Sequence, residues 1–276
     1  MGEIKKWVGI SVCLVAAAGV FLRATAQMTP EQISERPAME AFLTKAKIIG
    51  AENLGEGVTR PKKLTLKKDG LETCGVWKSP SGSGSGTYDK WECEIAAYRM
   101  DKLLGLNMVP PTVERSYRGR KGSLQLWIYG CSSELARVEN DIPYPPEKAE
   151  RIARMQYLHR AFDSLIGNAD RTLQNMLWTE DWRLILIDHS RTFRCGSIHE
   201  ERLMYGKSGL RGDLHFHELP RSFVERVRNL NFEQIRRAVE FYANYREIEA
   251  ILKRRDILIS EIDEMIAERG EAAVLY

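Results

Sequence analysis

The hydrophobic period of this chain changes once, and that change constrains its fold more than any other feature. From Lys47 to about Gly130 the apolar residues come in short, strand-like runs; beyond Pro146 they recur at helical spacing. KIIGAENLGEGVTRPKKLTLKKDGLETCGVWK reads as three strands, one ending near Ala51, one over Lys62 to Leu66 and one over Glu72 to Lys78, with Asp69–Gly70 as the last turn. SPSGSGSGTYD follows, with the composition of a flexible loop. WECEIAAYRMDKLL then places Ile95, Tyr98 and Leu103 near one face of a helix over Lys90 to Leu104, and Gly105 supplies the stop. VPPTVERSYRGRKGSLQLWIYG predicts a hairpin turning around Gly119 to Gly122.

The second half is built differently. EKAERIARMQYLHRAFDSLIG is a long amphipathic helix, Met176 to Thr179 and Arg183 to Ile187 are short strands flanking Glu180–Asp181, and Phe232 to Glu271 carries at least two more helices. Ahead of the strands, a polar segment through about Pro37 leads to a helix over Ala38 to Ala46. The expected class is α+β, with a small antiparallel β-rich N-terminal lobe over 47–130, a larger, mainly helical lobe over 131–276, and residues 27–46 as linker and leading helix. At 276 residues with 43% hydrophobic and 29% charged content, the chain is neither disordered nor, lacking internal repeats, a solenoid.

The 41 basic residues are spread among 38 acidic ones for a net charge of +3, which gives no footprint for nucleic acid. At the N-terminus, Lys5 and Lys6 precede an apolar run from Trp7 to Leu22 and then Ala24–Thr25–Ala26, the layout of a signal peptide over residues 1–26. An uncleaved anchor is the alternative, although the run falls short of the roughly 17 to 25 residues of a spanning helix. Either way the positive charges ahead of it send the remainder across the membrane, to a periplasm, the exterior or a secretory lumen; no membrane association beyond the leader is expected. Cys74, Cys93, Cys131 and Cys195 then sit in a compartment that permits disulfides, three pairings are open, and buried thiols are the alternative.

The chemistry concentrates in GNADRTLQNMLWTEDWRLILIDHSRTF. Asp170 is followed five residues later by Asn175, and a strand hairpin leads to a second acid, Asp188. One carboxylate can orient or deprotonate an attacking hydroxyl, while an amide oxygen and the second carboxylate suit magnesium, a hard cation that prefers oxygen. Upstream, Lys78 ends a strand and Glu94 opens the next helix; a lysine that touches nucleotide phosphates needs such an acid to hold it. Glu92 is the rival for that role. Val76 shares the face of Lys78 and can cover an adenine ring, and Gly55 and Gly57 in LGEGVTRP sit where backbone amides would approach phosphate oxygens.

The DRxxxN stretch followed by Ile187–Asp188 resembles the catalytic and metal-binding segments of phosphatidylinositol 3- and 4-kinases, the secretory-pathway Golgi casein kinases and the HipA-type kinases. That resemblance implies a bilobal kinase-like fold in which Asp170 is the catalytic acid, Asp188 and Asn175 bind Mg2+ (or Mn2+), Lys78, Glu94, Val76, Gly55 and Gly57 serve ATP, and Trp127 to Gly130 is the hinge between lobes that meets the base. It covers Lys47 to Phe193. The chain departs from the lipid kinases at Thr172, where they carry His, and at His189–Ser190, where they carry Phe-Gly.

The function expected is an exported, ATP- and Mg-dependent phosphotransferase acting on a hydroxyl of a protein, sugar or small molecule. The alternative is a pseudokinase that uses the same cleft to bind a partner; a third is a structural domain whose acids cap turns. Elsewhere, His215 and His217 could face a metal from one side of a strand but find no third ligand, so the segment reads as a substrate-side loop or plain surface; His159 reads as a packed helix residue, and the KRRD run at Lys253 to Asp256 reads as a solvated helix face. No GxSxG or HExxH occurs to support a hydrolase.

Overall fold

A computed structural model of the chain describes residues 28–55, 60–80, 88–212 and 214–276. The expected leader over residues 1–26, Gly57, most of the Ser/Gly-rich loop and Asp213 lie outside the described residues. No helix among the described residues is long and apolar enough to cross a membrane.

The leading helix α1 spans Pro30–Lys45. It begins well before the expected Ala38 because Thr29 and Gln32 form a capping box and Pro30 stands at the first helical position, where its missing N–H costs nothing. Pro37 lies inside it. Five strands follow in an antiparallel sheet of order β1-β2-β3-β5-β4, with β1 at Lys47–Asn53, β2 at Lys62–Lys68, β3 at Leu71–Lys78, β4 at Thr112–Tyr117 and β5 at Arg120–Leu126. The β2–β3 turn is Asp69–Gly70, both at positive φ, the backbone of a two-residue hairpin.

The β4–β5 turn is tighter than expected. Arg118 and Gly119 alone make it, both at positive φ, and Gly122 belongs to β5, paired with Arg115. A Cβ at Gly122 would lie 2.2 Å from the Lys78 carbonyl and 2.9 Å from the Trp77 indole. Gly122→Ala is therefore expected to lower the unfolding free energy by about 1–3 kcal/mol, measured by urea denaturation; an unchanged midpoint would mean that β3 and β5 part without strain.

One face of this sheet is closed by α1: Phe42, Leu43 and Ala46 pack with Leu64, Leu66, Trp77 and Leu124 in a small core of their own. Alternation along β3 puts Gly75 and Trp77 on that buried side and leaves Val76 and Lys78 on the other. Helix α2, Trp91–Leu104, ends as expected at Gly105 in a left-handed conformation. It adds Ile95, Tyr98, Met100 and Leu104 to the main core, together with Phe162, Leu165 and Ile166 of the long helix α4, Ala149–Ile166.

A second antiparallel sheet, β6-β7-β8, joins Cys131–Ser133, Met176–Thr179 and Leu184–Leu186. The helix α3, Glu134–Glu139, follows β6, and the C-terminal part holds α5 at Ser197–Glu201, α6 at Arg221–Arg228, α7 at Phe232–Val239 and α8 at Tyr245–Arg269. The fold is thus α+β, an N-terminal five-stranded antiparallel sheet followed by a mostly helical region.

One expectation needs correction, that of a solvated face at Lys253 to Asp256, and two open alternatives narrow. Residues 214–218 form no strand: Arg160 donates to the His215 carbonyl, and His217 packs edge-on against Tyr157. Lys253 to Asp256 is not a wholly solvated face, because Arg254 is fully buried and donates to the carbonyls of Leu165, Arg194 and His199. Cys74, Cys93, Cys131 and Cys195 are all free thiols, standing on β3, α2, β6 and the loop before α5. His159 is packed as expected, buried against Tyr205 and held neutral at about pKa 3 by burial.

Candidate active site

The core of the site is one ammonium between two carboxylates. Lys78, at the end of β3, places Nζ 2.6 Å from Glu94 Oε1 and 2.7 Å from Asp188 Oδ1. The side chains of Lys78 and Glu94 are only 11% and 2% exposed, so this is no screened surface pair. Burial alone would pull the lysine down, but Glu94 and then Asp188 override it and raise it, so it stays protonated. Asp188 shows the converse: burial pushes its carboxyl up, Lys78 overrides, and it sits at about 2. Glu92, the rival for Glu94, does not reach Lys78; it stands at the start of α2 with burial pushing its carboxyl up.

Glu94 does two jobs. While Oε1 takes Lys78, Oε2 accepts the His189 backbone N–H at 2.9 Å, so the residue after Asp188 is fastened to α2. Asp188 itself stands at φ 57°, a left-handed conformation open to Asp at little cost, which turns the chain sharply after β8. Its side chain is 37% exposed and so remains open to solvent.

Asp170 and Asn175 come from the segment between α4 and β7. Gly167, left-handed, ends α4, and the Asp170 N–H is capped by Asn168 Oδ1 at 3.1 Å, an Asx turn that leaves the Asp170 carboxylate outward and 41% exposed. The Asn175 amide nitrogen donates to the Asp170 carbonyl at 3.4 Å, and the Ile187 N–H donates to the Asn175 carbonyl at 3.1 Å, which brings the Asn175 and Asp188 segments side by side. Thr172 is exposed.

Sequence reading missed the residue that holds these pieces. Arg171, 1% exposed, clasps Asp163 of α4 through Nε at 2.8 Å and Nη2 at 3.0 Å. Its Nη1 donates to the carbonyls of Asn175 at 3.0 Å and Ile187 at 2.7 Å. Nη2 also lies 2.9 Å from His189 Nε2. Burial, and then Arg171, pushes His189 down to about 3, so the ring is neutral and Nε2 accepts from the guanidinium. His189 and Ser190, the pair by which the chain departs from the lipid kinases, complete a polar framework under the site. Asp89 and Arg191 were also missed: Asp89 accepts from Ser190 Oγ at 2.7 Å and from Arg191, which in turn reaches Asp170.

Val76 lies on the Lys78 face, paired with Lys63 on β2 and Gln125 on β5. Gly55, at φ 71° and with open space around it, follows β1; Gly57 lies outside the described residues. The hinge candidate runs in irregular backbone after β5, the Trp127 N–H bonded to the Cys74 carbonyl. A groove of about 880 Å3 between α1, α2, β4 and the end of α7, lined by Glu40, Arg99, Lys102 and Glu114 among others, contains none of these site residues. Among the described residues no three His, Cys, Asp or Glu side chains gather as a metal cluster. A metal would rest on the mixed oxygen set of Asp188 and Asn175, which fits a hard divalent cation that keeps waters and shares phosphate ligands.

No protein-family model matches the sequence, and no curated protein matches it. Solved structures do match its backbone. A hydra Fam20 determined with sugar superposes with a TM-score of 0.61 at 16% identity, covering 91% of this chain and 95% of that one. A Golgi casein kinase gives 0.62 at 14% identity, covering 91% and 80%, and a Golgi casein kinase with Mn/ADP bound gives 0.60 at 14% over the same shares. The resemblance carried by DRxxxN and Ile187–Asp188 is thus met at the level of the backbone: this chain has the α+β, atypical kinase-like fold of those proteins.

Proposed function

We propose that the chain is an ATP- and Mg2+-dependent phosphotransferase, exported by its leader, that moves the γ-phosphoryl group to an alcohol of a protein, sugar or small molecule. The observation that carries this is Lys78 bound at once to Glu94 and Asp188, beside Asp170 and Asn175. Three segments distant in sequence converge on groups that each suit phosphoryl transfer, and a fold alone does not require all of them. Lys78 would bind nucleotide phosphates. Asp188 and Asn175 would hold Mg2+, or Mn2+, which supplies charge neutralisation on the phosphates when bound. Asp170 would take the acceptor's hydroxyl proton or orient that hydroxyl, and Val76 and Gly55 would line the nucleotide.

Thermal unfolding with and without ATP and Mg2+ tests this reading. A ligand that binds only the folded state at 100 times its Kd adds about 2.7 kcal/mol. The purified protein is expected to show a metal-dependent upward shift and Asp188→Ala to lose it. No shift at millimolar ATP would sink the reading, whereas a shift without any phosphoryl transfer would assign the cleft to a binding module.

A further inference from the structure

The Asp170 carboxylate has a cationic neighbour held from behind. Arg191, three residues past Asp188, donates from Nε to Asp89 Oδ1 at 3.1 Å and from Nη2 to Asp89 Oδ2 at 3.2 Å, and its Nη1 lies 3.2 Å from Asp170 Oδ2. Asp89 is 4% exposed and also accepts from Ser190 Oγ. The Lys90 N–H bonds the Ser190 carbonyl at 2.9 Å, so both backbones that carry the clamp are fastened together. The guanidinium is surrounded by Asp89, Asp170 and, farther off, Asp188, which together keep it charged. A surface ion pair would not need a nearly buried carboxylate to grip two of its three nitrogens; the grip aims the third.

What Nη1 is aimed at follows from the chemistry. In phosphoryl transfer, negative charge spreads over the equatorial oxygens of the moving group, and a cation fixed in advance stabilises it without reorganisation. Lys78 stands on the Glu94 side of the site. On the acceptor side, Thr172 offers only an exposed, uncharged hydroxyl, whereas Arg191 offers a fixed charge beside Asp170.

We propose that Arg191, aimed by Asp89, is a catalytic residue that donates from Nη1 to an oxygen of the transferring phosphoryl group; this rests on the phosphotransferase reading above. In that step the acceptor oxygen forms a bond to the γ-phosphorus, and the bond from phosphorus to the β–γ bridging oxygen breaks. The electron pair leaves on ADP, and the hydroxyl proton passes to Asp170. Arg191 changes neither bond nor protonation state; it neutralises charge as that charge spreads.

Calorimetry separates this role from ground-state binding. Affinity is measured for Mg·ADP alone and for Mg·ADP with aluminium fluoride, a mimic of the moving phosphoryl. Wild type is expected to bind the fluoride complex at least about tenfold more tightly than Mg·ADP, and R191Q to hold Mg·ADP within about threefold while losing that increment. R191K, with the charge but not the fork, and D89N, with the aim loosened, should each keep only part of it; should R191Q fail to fold, these two carry the comparison. An increment kept by the variants, or absent from wild type that binds Mg·ADP, overturns the proposal and leaves the nucleotide reading standing. Equal loss of Mg·ADP itself makes Arg191 a ground-state contact and also overturns it. Wild type blind to Mg·ADP sinks both.

Discussion

Arg171→Met is expected to lower the unfolding free energy by about 3–5 kcal/mol, the cost of leaving a buried charge without its partner. Asp163, fully buried, would be that charge. Burial pushes its carboxyl up and Arg171 brings it below the usual carboxylate range, so without the guanidinium the acid must take up a proton or draw in water. The carbonyls of Asn175 and Ile187 would lose their donor together, which loosens the segments carrying Asn175 and Asp188. Urea denaturation of wild type, Arg171→Met and the double variant with Asp163→Asn measures this. The double variant should recover part of the loss, because its buried side chain is neutral. A single-variant cost under about 1 kcal/mol would show that the pair does not hold these segments together.

The second large effect is a dependence on pH. Asp101, near the end of α2, is fully buried; Oδ1 accepts the N–H groups of Met108 at 2.8 Å and Val109 at 3.2 Å, while Oδ2 has no partner. Arg36 of α1 lies near it without bonding it and is itself bound to Asn107. Burial pushes the Asp101 carboxyl up to about 7. Because the folded value is raised, the contribution to stability is complete below the unfolded value near 4 and is lost as pH rises through about 7. The full loss is on the order of 4 kcal/mol. Asp101→Asn keeps an oxygen for both amides and carries no charge, so it should flatten the fall in stability between pH 5 and 8 and be the more stable protein at pH 8. Parallel slopes for the two proteins would show that Asp101 does not titrate in this window. Asp188 acts with the opposite sign: held at about 2, it adds stability that is lost only as pH drops from about 4 through that value.

Much of the site was legible because its residues sit where local pattern and chemistry coincide. Lys78 closes an alternating strand, Glu94 begins an apolar helical stripe, and Asp188 follows LILI, so each could be placed on an element before its neighbours were known. The framework beneath them was not. Asp163, Arg171, Asp89 and Arg191 are charged residues whose burial is decided by packing between segments, and a charge in a single sequence reads first as solvated. One overlooked signal existed for Arg254: Ile248, Ile251, Leu258 and Ile262 are all buried on α8, and Arg254 falls on the same stripe at three and four residues from its neighbours. For Asp163 the helical period says only that it lies with His159, and nothing local says that an arginine eight residues later will return to it. The early start of α1 was written in Thr29 and Gln32, whose spacing is that of a capping box, and Pro37 does not end the helix, since a helix can hold an interior proline when its neighbours are satisfied.

Glu94 joins three parts of the fold, the end of β3, the helix α2 and the Asp188 turn, through its two oxygens. Any throw of α2 away from the sheet would strip both at once, leaving Lys78 to Asp188 alone and a carboxylate to be rehydrated. A switch built on that motion would work against a buried network, not with it. The contacts among Lys78, Glu94 and Asp188 are therefore part of the folded core rather than an addition to it.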